Sequence, residues 1–169
     1  MKHSYWLLLG GIVCGGVLLL AQDDQVEMGT VKGSRVNVRA RPLGTAEICC
    51  QMNKGDSVEI LEHRLVQTLG TNTEEWVRIV LPEKATVWVQ SSFVDQDGKV
   101  TSKLNGRAGP GLVWPVLCSF AKGDHVSTRT NELDWVGVVP PRTASAWISG
   151  HFVTGQVVEI HTAPVAKPE

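Results

Sequence analysis

The feature that most constrains this chain of 169 residues is that it says nearly the same thing twice. "VNVRARP", Val36 to Pro42, returns as "LNGRAGP", Leu104 to Pro110. At one constant offset Asn37 meets Asn105, Arg39 meets Arg107, Cys50 meets Cys118, and the "KGD" of Lys54 to Asp56 meets Lys122 to Asp124. The offset then shortens, and Trp76-Val77 meets Trp135-Val136, Trp88-Val89 meets Trp147-Ile148, and Phe93-Val94 meets Phe152-Val153. The first copy carries the extra length in "RLVQTLGTNTEE", where a loop is expected to absorb it. A duplicated small domain follows.

Each copy reads as strands. Ile48, Cys50 and Met52 alternate with Cys49 and Gln51, and Val116, Cys118 and Phe120 alternate with Leu117 and Ser119. Turn chemistry separates the runs: "RPLGT", "NKGD", "AGPG", "AKGD", "VPPRT". Short strands in ~60 residues predict a small barrel or sandwich per copy. "QVVEIHT" is expected to add a last strand to the second copy.

Trp6 to Ala21 is an apolar run that as a helix would span ~24 Å, short of a ~30 Å hydrocarbon core. Residues 1–21 are therefore a secretory signal, with a mature N-terminus at Gln22, or a retained N-terminal anchor. Both place the rest of the chain outside the cytoplasm, in the periplasm or cell envelope. A formal net charge of −1 gives no electrostatic footprint for nucleic acid. Residues 22–28 read as a spacer, 29–94 as the first domain, 95–98 as a linker, 99–160 as the second domain and 161–169 as a Pro-containing tail. So short a linker predicts two units held side by side.

Catalytic chemistry finds little support. No His pair stands at ligand spacing and no C-x-x-C occurs, so no metal and no cofactor are expected. Cys49, Cys50 and Cys118 read as small apolar side chains rather than nucleophiles. Asp56 and Asp124 read as turn residues whose carboxylates take local backbone N–H groups. The binding candidates are Trp76 and Trp135, expected to expose part of each ring, and Trp114, on a Pro-flanked loop with no aromatic twin. Trp114 is either a ligand platform or core. Arg39 and Arg107 either tie loop carbonyls together or touch a ligand.

The V-N-V-R-x-x-P opening, the K-G-D turn, the W-V strand and "VWVQSSFV" resemble the bacterial SH3-like (SH3b) domain family, in two tandem copies. The first copy departs from the pattern at Val87, where Gly is usual, and the second has Gly106 where an inward Val is usual. The resemblance implies an all-β chain of two small SH3-like barrels and a non-catalytic module that binds peptidoglycan peptides. The alternative partner is another envelope protein, met as an interaction or scaffold subunit.

Overall fold

The computed structural model describes residues 26–67 and 72–158. The expected signal or anchor at 1–21 and the tail at 161–169 lie outside the described residues. The chain is all-β there, with two short 3-10 turns, Ser91–Phe93 and Gly150–Phe152. Twelve strands run in order: β1 Val26–Val31, β2 Val36–Arg39, β3 Ile48–Met52, β4 Ser57–Gln67, β5 Thr73–Val80, β6 Val87–Gln90, β7 Leu104–Arg107, β8 Val116–Phe120, β9 Thr128–Glu132, β10 Trp135–Val138, β11 Ser145–Ser149 and β12 Val153–Val158. The expected spacer thus already contains the start of β1.

The strands do not form two closed barrels. They make two open antiparallel sheets, β12-β1-β4-β5-β11-β2-β3 and β8-β7-β6-β10-β9. Closure would need edge to bond edge, and among the described residues β12 is paired only with β1 while β3 is paired only with β2.

The order also shows an exchange. β6 lies in the first copy of the sequence repeat, yet it pairs with β10 and β7 of the second. Its counterpart β11 lies in the second copy, yet it pairs with β5 and β2 of the first. The pairings are equivalent: Trp135 faces Gln90 in one sheet, and Trp76 faces Ser149 in the other. Each copy has given its closing strand to its twin. The sheets are therefore not bounded at residues 95–98, which form a tight turn (Gly98 φ 76°) around the Asp95 carboxylate. The chain crosses between sheets at two matching Pro turns, where the Ala85 N–H meets the Pro82 carbonyl and the Ala144 N–H meets that of Pro141, each at 2.9 Å. The last strand joins the first sheet rather than the second, because β12 lies along β1.

Local pattern explains each strand. In β2 and β6 alternate residues are buried, Val36 and Val38 in one, Val87 and Val89 in the other. In β7 the inward position is Gly106, where a Cβ would come within 2.5 Å of Val87 and 2.6 Å of the Cys118 sulfur. The borrowed β6 packs so near that only glycine fits. Bulges at Val38/Arg39 and Gly106/Arg107 break the alternation that the sequence suggests for β3 and β8. Ile48 is consequently exposed, and so is its counterpart Val116. The extra residues of the first copy lengthen the β4–β5 hairpin and are not confined to a loop.

Fully buried Val31, Val38, Val77, Ile79, Val87, Val89, Val100, Val138 and Ile148 come from both sheets and join one apolar cluster. Each contributes roughly 1.5–3 kcal/mol relative to exposure. The "KGD" turns behave as expected: Asp56 Oδ2 accepts the Asn53 N–H at 3.0 Å and Asp124 Oδ2 that of Ala121 at 2.8 Å, with Gly55 and Gly123 at positive φ.

Candidate functional site

Two grooves occupy equivalent places in the two sheets. The first lies beside β2 and holds Val36, Asn37 and Arg39, with Trp76 from β5 and Phe152 after β11. The second holds Leu104, Asn105 and Arg107, with Trp135 from β10 and Phe93 after β6. Arg35 on the rim of the first is matched by Lys103 on the second, and Ser149 by Gln90. These pairs follow the offsets of the sequence repeat, so one groove has been duplicated side chain by side chain.

Both grooves are composite. Ser149 and Phe152 reach the first groove from the second copy of the repeat, and Gln90 and Phe93 reach the second groove from the first copy. Strand exchange is what brings them in. The exchanged segments are held by equivalent main-chain bonds: the Lys32 N–H to the Phe152 carbonyl at 2.8 Å, and the Thr101 N–H to that of Phe93 at 2.9 Å.

The arginines of the opening motif are wall-builders. Arg39 Nη1 donates to the Ala46 carbonyl at 2.5 Å. Arg107 Nη1 donates to the carbonyls of Trp114 at 2.8 Å and Leu112 at 3.0 Å. Ala46 and Trp114 are repeat equivalents, so one device fixes both loops. Asn37 is anchored too, its Oδ1 accepting from Gln51 Nε2 at 2.9 Å.

Of the tryptophans, Trp76 departs from expectation and Trp135 does not. Trp76 is only 4% exposed, so its ring is mostly structural and contributes to the groove without standing free. Ser149 of β11 and Arg64 of β4 stand opposite it on either side, and its Nε1–H reaches Glu74 Oε2 at 3.3 Å. Trp135 is half-buried in the second groove. Trp114 lines neither groove; its half-buried ring lies on the backbone of Gly109, where any Cβ would strike it. Its carbonyl, not its ring, serves the second groove through Arg107. Trp147, in the middle of the first sheet, carries Arg64 over its ring at 4.6 Å.

Sequence reasoning aligned Phe93 with Phe152 and Asn37 with Asn105 without assigning them to a site. The signal was present in the repeat. What it lacked was which copy's strand delivers each Phe.

Among the described residues Cys49, Cys50 and Cys118 are free, and burial pushes Cys49 and Cys118 up to about 12 and Cys50 up to about 11. A thiol held there supplies almost no thiolate near neutral pH. No group of three or more His, Cys, Asp or Glu able to hold a metal ion occurs among the described residues.

One titratable cluster stands apart from the grooves. His63 on β4 bonds Glu75 of β5 through Nδ1 and Glu27 of β1 through Nε2, both at 3.0 Å. The Glu75 bond, then the Glu27 bond, raises the His63 pKa above its usual value near 6.5. A raised folded-state pKa stabilises fully below the unfolded value and ceases to do so as pH rises through the folded one. The ring is well exposed, so solvent screening keeps the effect to about 0.5–1 kcal/mol. His63→Ala should therefore lower denaturant-measured stability by about that much at pH 5.5 and by far less at pH 9. An equal loss at both pH values would show that the charge is not its source.

Compared with family models, curated proteins and solved structures, the chain matches none.

Proposed function

We propose that this chain is an exported, non-catalytic binding protein of the periplasm or cell envelope, built from two SH3-like units, that holds peptidoglycan peptides in its groove. The observation that carries the reading is the duplicated groove, whose wall is made rigid in both copies by an arginine bonded to a loop carbonyl. A pre-set groove loses little entropy when a short peptide enters it. Asn37, Ser149 and the Arg35 rim offer polar partners to a peptide backbone and a carboxylate, and Val36 and Phe152 offer apolar contact. The raised thiol pKa values argue against a cysteine nucleophile and so favour binding over catalysis.

Sedimentation with purified peptidoglycan sacculi tests this. The protein should pellet with the sacculi, and Arg35→Glu should shift it to the supernatant.

A second reading, an envelope scaffold that docks a protein partner, has one observation in its favour. The loop after β7 exposes Leu112 and Val113 at 72% and 92%, and the start of β8 exposes Val116 at 48%. Protein that stays in the supernatant with sacculi, yet recovers one stoichiometric envelope protein in a pull-down, would replace the first reading with this one.

A further inference from the structure

The two grooves share their plan but not their capacity. The first encloses about 350 Å³ and the second about 170 Å³. The lining side chain that differs most in bulk between them is the one on the loop after the opening motif. Gly44 stands at the first groove and Leu112 at the second. We propose that the chain has one roomy ligand groove, beside Trp76, and one narrowed copy, beside Trp135, and that Leu112 is the side chain that narrows it. The identity of the ligand as a peptidoglycan peptide rests on the function proposed above; the difference in capacity does not.

Three observations favour the first groove as the working one. A Cβ built on Gly44 meets no atom within 4 Å, so the opening there is real space rather than a gap filled by neighbours. The strand-entry loop is one residue longer in the first copy, Val31 to Val36 against Val100 to Leu104, and it holds Arg35 at φ 54°. A non-glycine residue in that left-handed region is strained, and such strain persists where surrounding structure over-determines it, commonly at binding sites. The Arg35 guanidinium has no ion-pair or hydrogen-bond partner among the described residues and stands exposed at the groove rim. It is placed to meet a ligand carboxylate.

Leu112 acts through bulk. It lines the groove while 72% exposed, so its bulk stands at the solvent edge of the groove and does not fill the core. Its carbonyl is what Arg107 holds, at 3.0 Å, so removing the side chain leaves the loop tied. Excluding a ligand by an obstructing side chain is a common route to specificity after duplication.

The reciprocal pair Gly44→Leu and Leu112→Gly tests the assignment in the full chain. Neither touches the core, and Gly44 does not need a positive φ. Amide spectra are recorded with two probes, isopropanol as a small ligand-independent occupant and soluble muropeptides from a muramidase digest of sacculi. In the unaltered protein isopropanol should shift Asn37 and its neighbours more strongly than Asn105. Leu112→Gly should add shifts at Asn105, and Gly44→Leu should weaken those at Asn37. Muropeptides should follow the same pattern, with Gly44→Leu weakening them by roughly tenfold or more. Equal isopropanol shifts at both grooves before any substitution, or no gain at Asn105 in Leu112→Gly, overturns the proposal. Muropeptide shifts centred on the second groove overturn it as well. If isopropanol follows the expected pattern while muropeptides shift nothing, the narrowing by Leu112 stands and the peptidoglycan reading falls.

Discussion

A chain ending at Ala144 loses its first sheet and keeps its second. This inverts what the order of the repeats suggests, since the residues removed belong to the second copy. The reason is the position of β11. Among the described residues it is the only hydrogen-bonded link between β5 on one side and the β2–β3 hairpin on the other. Without it the first sheet falls into a three-strand piece and an isolated hairpin, and a hairpin alone is marginal in water at best. The loss of β12 also uncovers β1, where Val31 is 1% exposed. The second sheet draws all its strands from Val87 to Val138 and loses none of them. Hydrogen exchange reads the outcome directly: the amide of Val38 should lose protection while those of Val89 and Val136 retain it. Protection surviving at Val38 in the shortened chain would contradict the exchange of strands.

Ile148→Ala should cost about 2–5 kcal/mol of stability, the usual range for emptying a fully enclosed aliphatic site. Ile148 is 0% exposed and stands across from Val77, itself 1% exposed. It also lies in the strand that joins the two parts of the first sheet, so the cavity opens where the least rearrangement can fill it. At roughly 2–4 °C per kcal/mol for a chain of this size, the thermal midpoint should fall by about 4–20 °C. Val113→Ala is the matching control, because a side chain 92% exposed should matter by less than about 0.5 kcal/mol. A midpoint unchanged by Ile148→Ala would mean that β11 does not occupy the centre of that sheet.

Much of the local architecture was legible in the residues. The repeat offsets predicted which positions are equivalent, and the pairings of Trp76 with Ser149 and Trp135 with Gln90 respect them. The Asp56 and Asp124 turns and the loop ties of Arg39 and Arg107 follow from chemistry that is local in sequence. The exchange of β6 and β11 was not legible, for a physical reason. "VWV" and "AWI" offer the same inward apolar pattern, so either strand satisfies either sheet, and no periodicity records which one does. What decides is the course of two short Pro turns and the fit of Val87 over Gly106. The burial of Trp76 was not legible either, since its twin Trp135 stands in the equivalent place and is only half-buried. The composite character of both grooves follows from the same exchange.

The exchanged strands also impose an order on assembly. As the chain emerges from its N-terminal end, β2 must wait for β11, and β1 for β12, while everything needed for the second sheet appears in one uninterrupted stretch between them. The later-made half can thus mature first and serve as a template on which the earlier-made half closes. Until then β1 to β5 form a nascent intermediate with unpaired edges, open to mispairing with a neighbouring chain. Loop-closure entropy over so long a separation slows that final step. Two units that look separable on paper become one object in time, finished only when the last strand is laid beside the first.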